Sequence, residues 1–207
     1  MNIYPWQQSI WQRIISQKER MSHALLLHGR AGMGKLDFAM HLSQSLLCIS
    51  PIDGHACNVC ASCTWFKEGG HPDFKYITPE EADASEDAPK KKATKKTQIS
   101  VEQIRQLIQL LSLTNHSATA LRVVLIHPAE LMNMASANAL LKVLEEPPNN
   151  TMFILVSHQV HRLLPTIMSR CQAIAMPIPE RSAAVAWLQS QHVTNADDLL
   201  DYAGGAP

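Results

Sequence analysis

The 207-residue chain carries 18 lysines and arginines against 18 aspartates and glutamates, so its formal net charge is zero. A balanced chain exerts no global pull on nucleic acid, and any such binding needs a local patch or a partner. With 46% hydrophobic residues it can bury a substantial core. It has no apolar leader and no run of eighteen apolar residues, so the expectation is a soluble, cytoplasmic protein.

In chain order, HALLLHG (23–29) reads as a short buried strand leading into a glycine-rich turn, and LDFAMHLSQSLLC (36–48) as a helix with Phe38, Leu42, Ser45 and Leu46 at helical spacing. Further strands are expected at 74–78, 122–127, 151–157 and 173–177. Near-continuous apolar strands separated by helices indicate an α/β fold, a parallel sheet covered on both faces. The segment at about 80–98 is first acidic, then lysine-rich, with no aliphatic residue larger than alanine. It cannot bury a face and is expected to be a mobile, solvated loop. Ser100 and Gln103 form a capping-box pattern ahead of a helix with Ile104, Leu107, Ile108 and Leu111 on one face. Another helix is expected over about 129–146, ended by Pro147 and Pro148. Two short helical segments after Pro179 suggest a small helical unit.

Cys57, Cys60 and Cys63 stand at C-x2-C-x2-C, and Cys48 lies nine residues earlier. In a reducing compartment such clusters bind metal more often than they form disulfides. Four thiolates suffice for a closed, tetrahedral, structural zinc site. An iron–sulfur cluster is the competing reading, but the bacterial pattern continues with x3-C-P, and Trp65, Phe66 and Lys67 follow here. His55 and His71 are expected at the surface or as outer hydrogen-bond partners of the cysteines.

HGRAGMGKL (28–36) fits the first seven positions of the phosphate-binding loop G-x-x-x-x-G-K-[ST]. Gly29, Gly32, Gly34 and Lys35 can cradle phosphate with backbone N–H groups, a helix dipole and an ammonium. Leu36 stands where a hydroxyl would hold magnesium. At the end of the strand RVVLIH, His127 and Pro128 occupy the positions of the second magnesium ligand and the catalytic carboxylate. No magnesium site is therefore expected, ATP or ADP binding stays open, and hydrolysis is not expected. Glu145 and Glu146, at a helix end before two prolines, read as solvent-facing, and Cys171 as a small buried hydrophobe.

Taken together, YPWQ (4–7), GRAGMGK (29–35), the four cysteines, GGHPDF (69–74), ANALLKVLEEPP (137–148) and the Ser169–Arg170–Cys171 motif resemble the delta-prime family of bacterial DNA polymerase III clamp-loader subunits, which are AAA+ proteins. The resemblance spans positions 4 to 171. It implies an AAA+ P-loop domain with a five-stranded parallel sheet over 1–172, a zinc module inserted at about 48–70, and an incomplete helical lid over 173–207, the family's collar domain being absent. It further implies partnership with delta and gamma/tau subunits, in a DNA-directed DNA polymerase holoenzyme that loads a sliding clamp onto primed DNA. Arg170 would serve the ATP site of a neighbouring subunit in trans. The rival readings are an autonomous ATPase with unusual ligands and a zinc-containing DNA-binding module.

Overall fold

The computed structural model describes residues 3–79, 98–112 and 121–207. The lysine-rich stretch expected as a loop lies outside these residues, apart from its last position. The strands are β1 (Ala24–His28), β2 (Phe74–Ile77), β3 (Arg122–Ile126), β4 (Thr151–Ser157) and β5 (Gln172–Ala175). They form one parallel sheet in the order β2-β3-β4-β1-β5. The helices are α1 (Gln8–Ser16), α2 (Lys35–Leu47), α3 (Ala61–Lys67), α4 (Val101–Leu111), α5 (Met134–Glu145), α6 (Pro165–Met168), α7 (Arg181–Ser190) and α8 (Ala196–Tyr202).

The side chains of a strand alternate between faces, and here the alternation divides the core in two. Leu25, Leu27, Val123, Leu125, Ile154 and Val156 point to the side covered by α1 and α2, where Trp11, Phe38 and Leu42 complete the packing. Ala24, Leu26, Val124, Ile126, Phe153 and Leu155 point to the other, against Ile104 and Leu107 of α4, Leu140 and Leu144 of α5, and Ile167 of α6. Both faces are therefore dry, which is why the strands read as unbroken apolar runs. Each fully buried Leu, Ile or Phe contributes about 1.5–3 kcal/mol of transfer free energy.

Several boundaries differ from the sequence expectations. The helix expected at about 129–146 is split into a 3-10 turn, Ala129–Leu131, and α5. Met132 is extended and Asn133 caps α5, its Oδ1 accepting from Ser136 N at 2.8 Å. The break is held by Ile99, whose N–H donates to Leu131 O at 2.8 Å and whose carbonyl accepts from Asn133 N at 3.3 Å. Between β4 and Arg170 the chain forms a 3-10 turn, Val160–Arg162, followed by the short α6. Pro165 forces Leu164 out of the helical region (ψ 133°) and opens α6 at its first position. The fifth strand starts one residue earlier than expected and is hydrogen-bonded to β1 through Ala175, so a lid boundary at residue 173 cuts through the sheet. The capping box is as expected: Ser100 Oγ accepts from Gln103 N at 3.3 Å, and Gln103 Oε1 from Ser100 N at 2.9 Å. No helix among the described residues is long and apolar enough to cross a membrane.

Candidate functional site

In a parallel sheet every strand ends on the same side, and ligands sit where the strand order reverses. Here β1 lies between β4 and β5, and the register sets His28 opposite Ser157 and Ala175. The next residue on β1 is Gly29, which opens the glycine-rich turn into α2. Gly32 and Gly34 have φ of 81° and 70°, a left-handed region that glycine enters without a Cβ penalty. A Cβ on Gly32 would also lie 2.7 Å from Ala206 Cβ, and one on Gly34 would strike the Tyr4 ring.

The loop is folded onto its own chain. Lys35 is buried, and its ammonium donates to Gly29 O at 2.8 Å and to Arg30 O. Burial pushes its pKa down to about 8, against the pull of Glu130. Gln7 Nε2 donates to Met33 O at 2.8 Å and Gly34 O at 3.0 Å, while Tyr4 O–H donates to Asp37 Oδ2 at 3.1 Å. Tyr4 stacks on Trp6, and Trp187 of α7 meets both rings edge-on, tying the helical segment to the loop. Arg30 Nη1 reaches Gly204 O at 3.1 Å. Leu36, at the hydroxyl position, packs against the first core cluster.

At the end of β3 the expected acid is His127. Its Nδ1 accepts from Tyr76 O–H at 3.3 Å, and its Nε2 lies 3.0 Å from Nε2 of His158, which follows β4. With Nδ1 accepting, the His127 proton sits on Nε2 and is donated to His158, an assignment made from the network. Burial lowers the pKa of both imidazoles; His158 lowers that of His127 further, and Lys35 lowers both. Glu130 Oε1 accepts from His158 N at 3.0 Å, and its Oε2 has no hydrogen-bond partner among the described residues. Imidazoles thus stand after β3 and β4 where a magnesium site uses hard oxygen ligands, and the one carboxylate described beside them, Glu130, is turned through Oε1 onto the His158 N–H.

The four cysteines do converge. Cys48 caps the C-terminal end of α2, Cys60 the N-terminal end of α3, and all four Sγ atoms lie within 4.8 Å of one another. The Cys48–Cys60 and Cys57–Cys63 separations are 3.9 and 4.0 Å. A tetrahedron with metal–sulfur distances of about 2.3 Å has edges of about 3.8 Å, so the set fits a tetrahedral thiolate site. Cys57 N donates to Cys48 Sγ at 3.3 Å, and Cys60 N to Cys57 Sγ at 3.4 Å. Such N–H groups favour thiolates. Burial opposes ionisation at Cys60, but backbone N–H groups and neighbouring thiols hold it down to about 6, whereas burial pushes Cys63 up to about 12. Four negative charges do not gather here without a cation, and the donor set suits a soft or borderline one.

His71 is not at the surface, as one of the two sequence expectations had it: it is 3% exposed. It accepts from Asp73 N on Nδ1 at 3.1 Å and donates through Nε2 to Ser62 Oγ at 2.9 Å, which in turn donates to Leu47 O at 2.6 Å. This relay clamps α3 to the end of α2 from beside the cysteines. His55 stacks on Trp11 and lies 3.0 Å from His41, away from the sulfur atoms.

Ser169, Arg170 and Cys171 follow α6 and stand apart from the phosphate loop in sequence and in contacts. The Arg170 side chain is 32% exposed; Nη1 donates to Thr166 O at 2.9 Å and Nη2 pairs with Glu145 Oε1. Glu145 faces solvent, as the sequence suggested, but its carboxylate is paired with Arg170. Cys171 is half-buried against the second core cluster, and burial pushes its thiol up to about 11. No motif in the sequence singles out the contacts of Gln7, Glu130, His158, Ser62 and Glu145. Only His158 carried a signal: it follows a strand adjacent to β1, where ligand-crevice residues collect.

A family profile described as DNA polymerase III, delta subunit, matches residues 6–180. The chain is 40% identical to DNA polymerase III subunit delta′ of Pseudomonas aeruginosa over 100% of its own length and 60% of the relative's. It is 34% identical to subunit delta′ of Escherichia coli over 97% of its length and 56% of the relative's. It therefore spans less than two thirds of the curated relatives it matches. Among solved structures it resembles a DNA polymerase III gamma-subunit-related protein from Thermotoga maritima, with TM-score 0.52 and 22% identity, covering 85% of this chain and 48% of the other. The RuvB Holliday junction branch migration motor of Thermotoga maritima shares the fold at TM-score 0.50 and 11% identity, covering 90% and 50% of the two chains.

Proposed function

On the premise that this chain belongs to the DNA polymerase III delta-subunit family, with delta′ subunits as its sequence relatives, we propose that it is the non-hydrolysing, delta′-type subunit of a cytoplasmic clamp loader. In this reading it joins delta and gamma/tau subunits to place a sliding clamp on primer–template DNA. It lends Arg170 to a neighbour's ATP site and turns over no nucleotide itself. A zinc ion on Cys48, Cys57, Cys60 and Cys63 holds the module of about 48–70 and takes no part in chemistry, since closed coordination leaves no place for water. The sheet through β5 and the helices packed on it form the P-loop domain in this reading, and α7 and α8 after it a lid.

The observation that carries the proposal is the contrast between two basic groups. Lys35 is buried on the carbonyls of its own loop, beside Leu36 and a histidine pair. Arg170 stands partly exposed at the end of α6. A guanidinium beside a transferring phosphoryl group is worth on the order of 10³–10⁵ in rate. Arg170→Ala in the full-length protein should preserve folding and assembly while cutting ATP hydrolysis and clamp loading by the complex. Lysine at this position should restore only part, because an ammonium lacks the planar fork. Normal hydrolysis and loading rates with Arg170→Ala would remove the trans role.

A further inference from the structure

Glu145 is the last residue of α5, and Arg170 follows α6. Both ends are anchored in one core: Leu144 is 1% exposed and Ile167 fully buried, and they belong to the same apolar cluster. Arg170 N donates to Ile167 O at 3.1 Å, which fixes the backbone under the side chain. The guanidinium is then held from two sides. Nη1 donates to Thr166 O at 2.9 Å and to Ser169 Oγ at 3.4 Å, and Nη2 pairs with the Glu145 carboxylate. A guanidinium has five N–H donors, so three engaged here leave two for an anion. A long side chain at a surface otherwise samples many rotamers, and a site that works by charge placement loses rate when the charge is about 1 Å out of position.

We propose that Glu145 is a positioning residue for Arg170: it holds the guanidinium in one place at the subunit surface before a neighbour's phosphate arrives. This rests on the trans role of Arg170 proposed above. Glu145 touches no substrate and acts only through the arginine. Glu146 at the cap of α5 is exposed and donates its backbone N–H to Lys142 O at 3.1 Å, while its side chain has no hydrogen bond or ion pair among the described residues, so it supplies the control.

The test uses the full-length protein in its complex with the ATP-hydrolysing subunits, clamp and primed DNA, with thermal unfolding and assembly measured for every variant. Glu145→Ala should lower kcat for ATP about 10- to 100-fold, leave KM unchanged, and add nothing in an Arg170→Ala background. Glu145→Gln keeps an acceptor without the charge and should fall between; if the alanine variant does not assemble, it decides the matter. Glu146→Ala should match the wild type. If Arg170→Ala lowers the rate while Glu145→Ala and Glu145→Gln do not, the positioning role is wrong and the trans role stands. A faster Glu145→Ala complex would mean that the carboxylate restrains the finger, which also overturns the inference. If Arg170→Ala itself leaves the rate unchanged, the fault lies in the trans role.

Discussion

Helix α2 joins two sites with opposite fates. At its N-terminus the phosphate loop keeps its glycines and Lys35, yet the lysine is turned onto loop carbonyls and the surrounding crevice offers Leu36, His127 and His158. At its C-terminus the cysteine set is complete, and its four sulfur atoms gather within 4.8 Å. The difference lies in where the ligands come from. A metal module draws all its donors from one stretch of sixteen residues, so it stands or falls as a unit. A phosphate-loop site draws on β1, β3 and β4 at once, so the residues at its strand ends can vary independently while the glycine turn, packed against Tyr4 and Ala206, keeps its form.

The sharpest way to break this comparison is to remove a sulfur. Purified protein should hold about one zinc per chain, and Cys60→Ser should lower zinc affinity by more than the 10- to 100-fold typical of losing an outer partner. Because metal binding in such modules is coupled to folding, amide exchange across 48–70 should rise. Iron in place of zinc, or an ordered module without metal, would contradict the assignment. A smaller effect is expected at Ser62→Ala, which strands the buried Leu47 carbonyl and the His71 N–H; the cost should be about 1–3 kcal/mol, read from denaturant midpoints. A variant with an unchanged midpoint would show that water replaces the hydroxyl.

At the other end of α2, the histidine pair predicts a pH dependence. The folded state lowers both pKa values below the ordinary value of about 6.5, so as pH falls through that value the unfolded chain takes up protons that the folded chain refuses. The stability contributed by these neutral imidazoles is complete above about pH 6.5 and is lost below it as pH falls toward the folded values. Replacing both His127 and His158 with Asn should flatten the fall in denaturant midpoint between about pH 7.5 and 5.5. The acid lability of the cysteine site is shared by both proteins and cancels. An equal fall in the double variant would exclude the pair. The smallest effect on activity is expected at Lys35→Met: ATP turnover by the chain alone should be at background before and after the change, although stranding the Gly29 and Arg30 carbonyls should cost about 1–3 kcal/mol of stability. Turnover that vanishes with the lysine would restore an enzymatic reading.

Much was legible in the sequence because it depends on short spacing. The five apolar runs gave the strands, the C-x2-C-x2-C run with Cys48 gave the metal-binding set, and Leu36, His127 and Pro128 stood visibly where magnesium chemistry needs oxygen. Expectations failed where a distant partner decided the local structure. Ile99, some thirty residues away, breaks the helix before α5 through two backbone bonds. The burial of His71 depends on Ser62 and Leu47, a side chain and a carbonyl on two different helices. The periodicity and residue chemistry within a few turns, then, determined the fold class, the spacing of the clustered thiols and the identity of the residues after the glycine turn and β3, since those features need only local geometry. Tertiary structure alone decided that Lys35 faces its own loop, that His127 meets His158 across two strands, and that Glu145 meets Arg170. The histidine pair and the Glu145–Arg170 pair join groups 31 and 25 residues apart in the chain, and only the packing of both faces of one sheet fixes their distance.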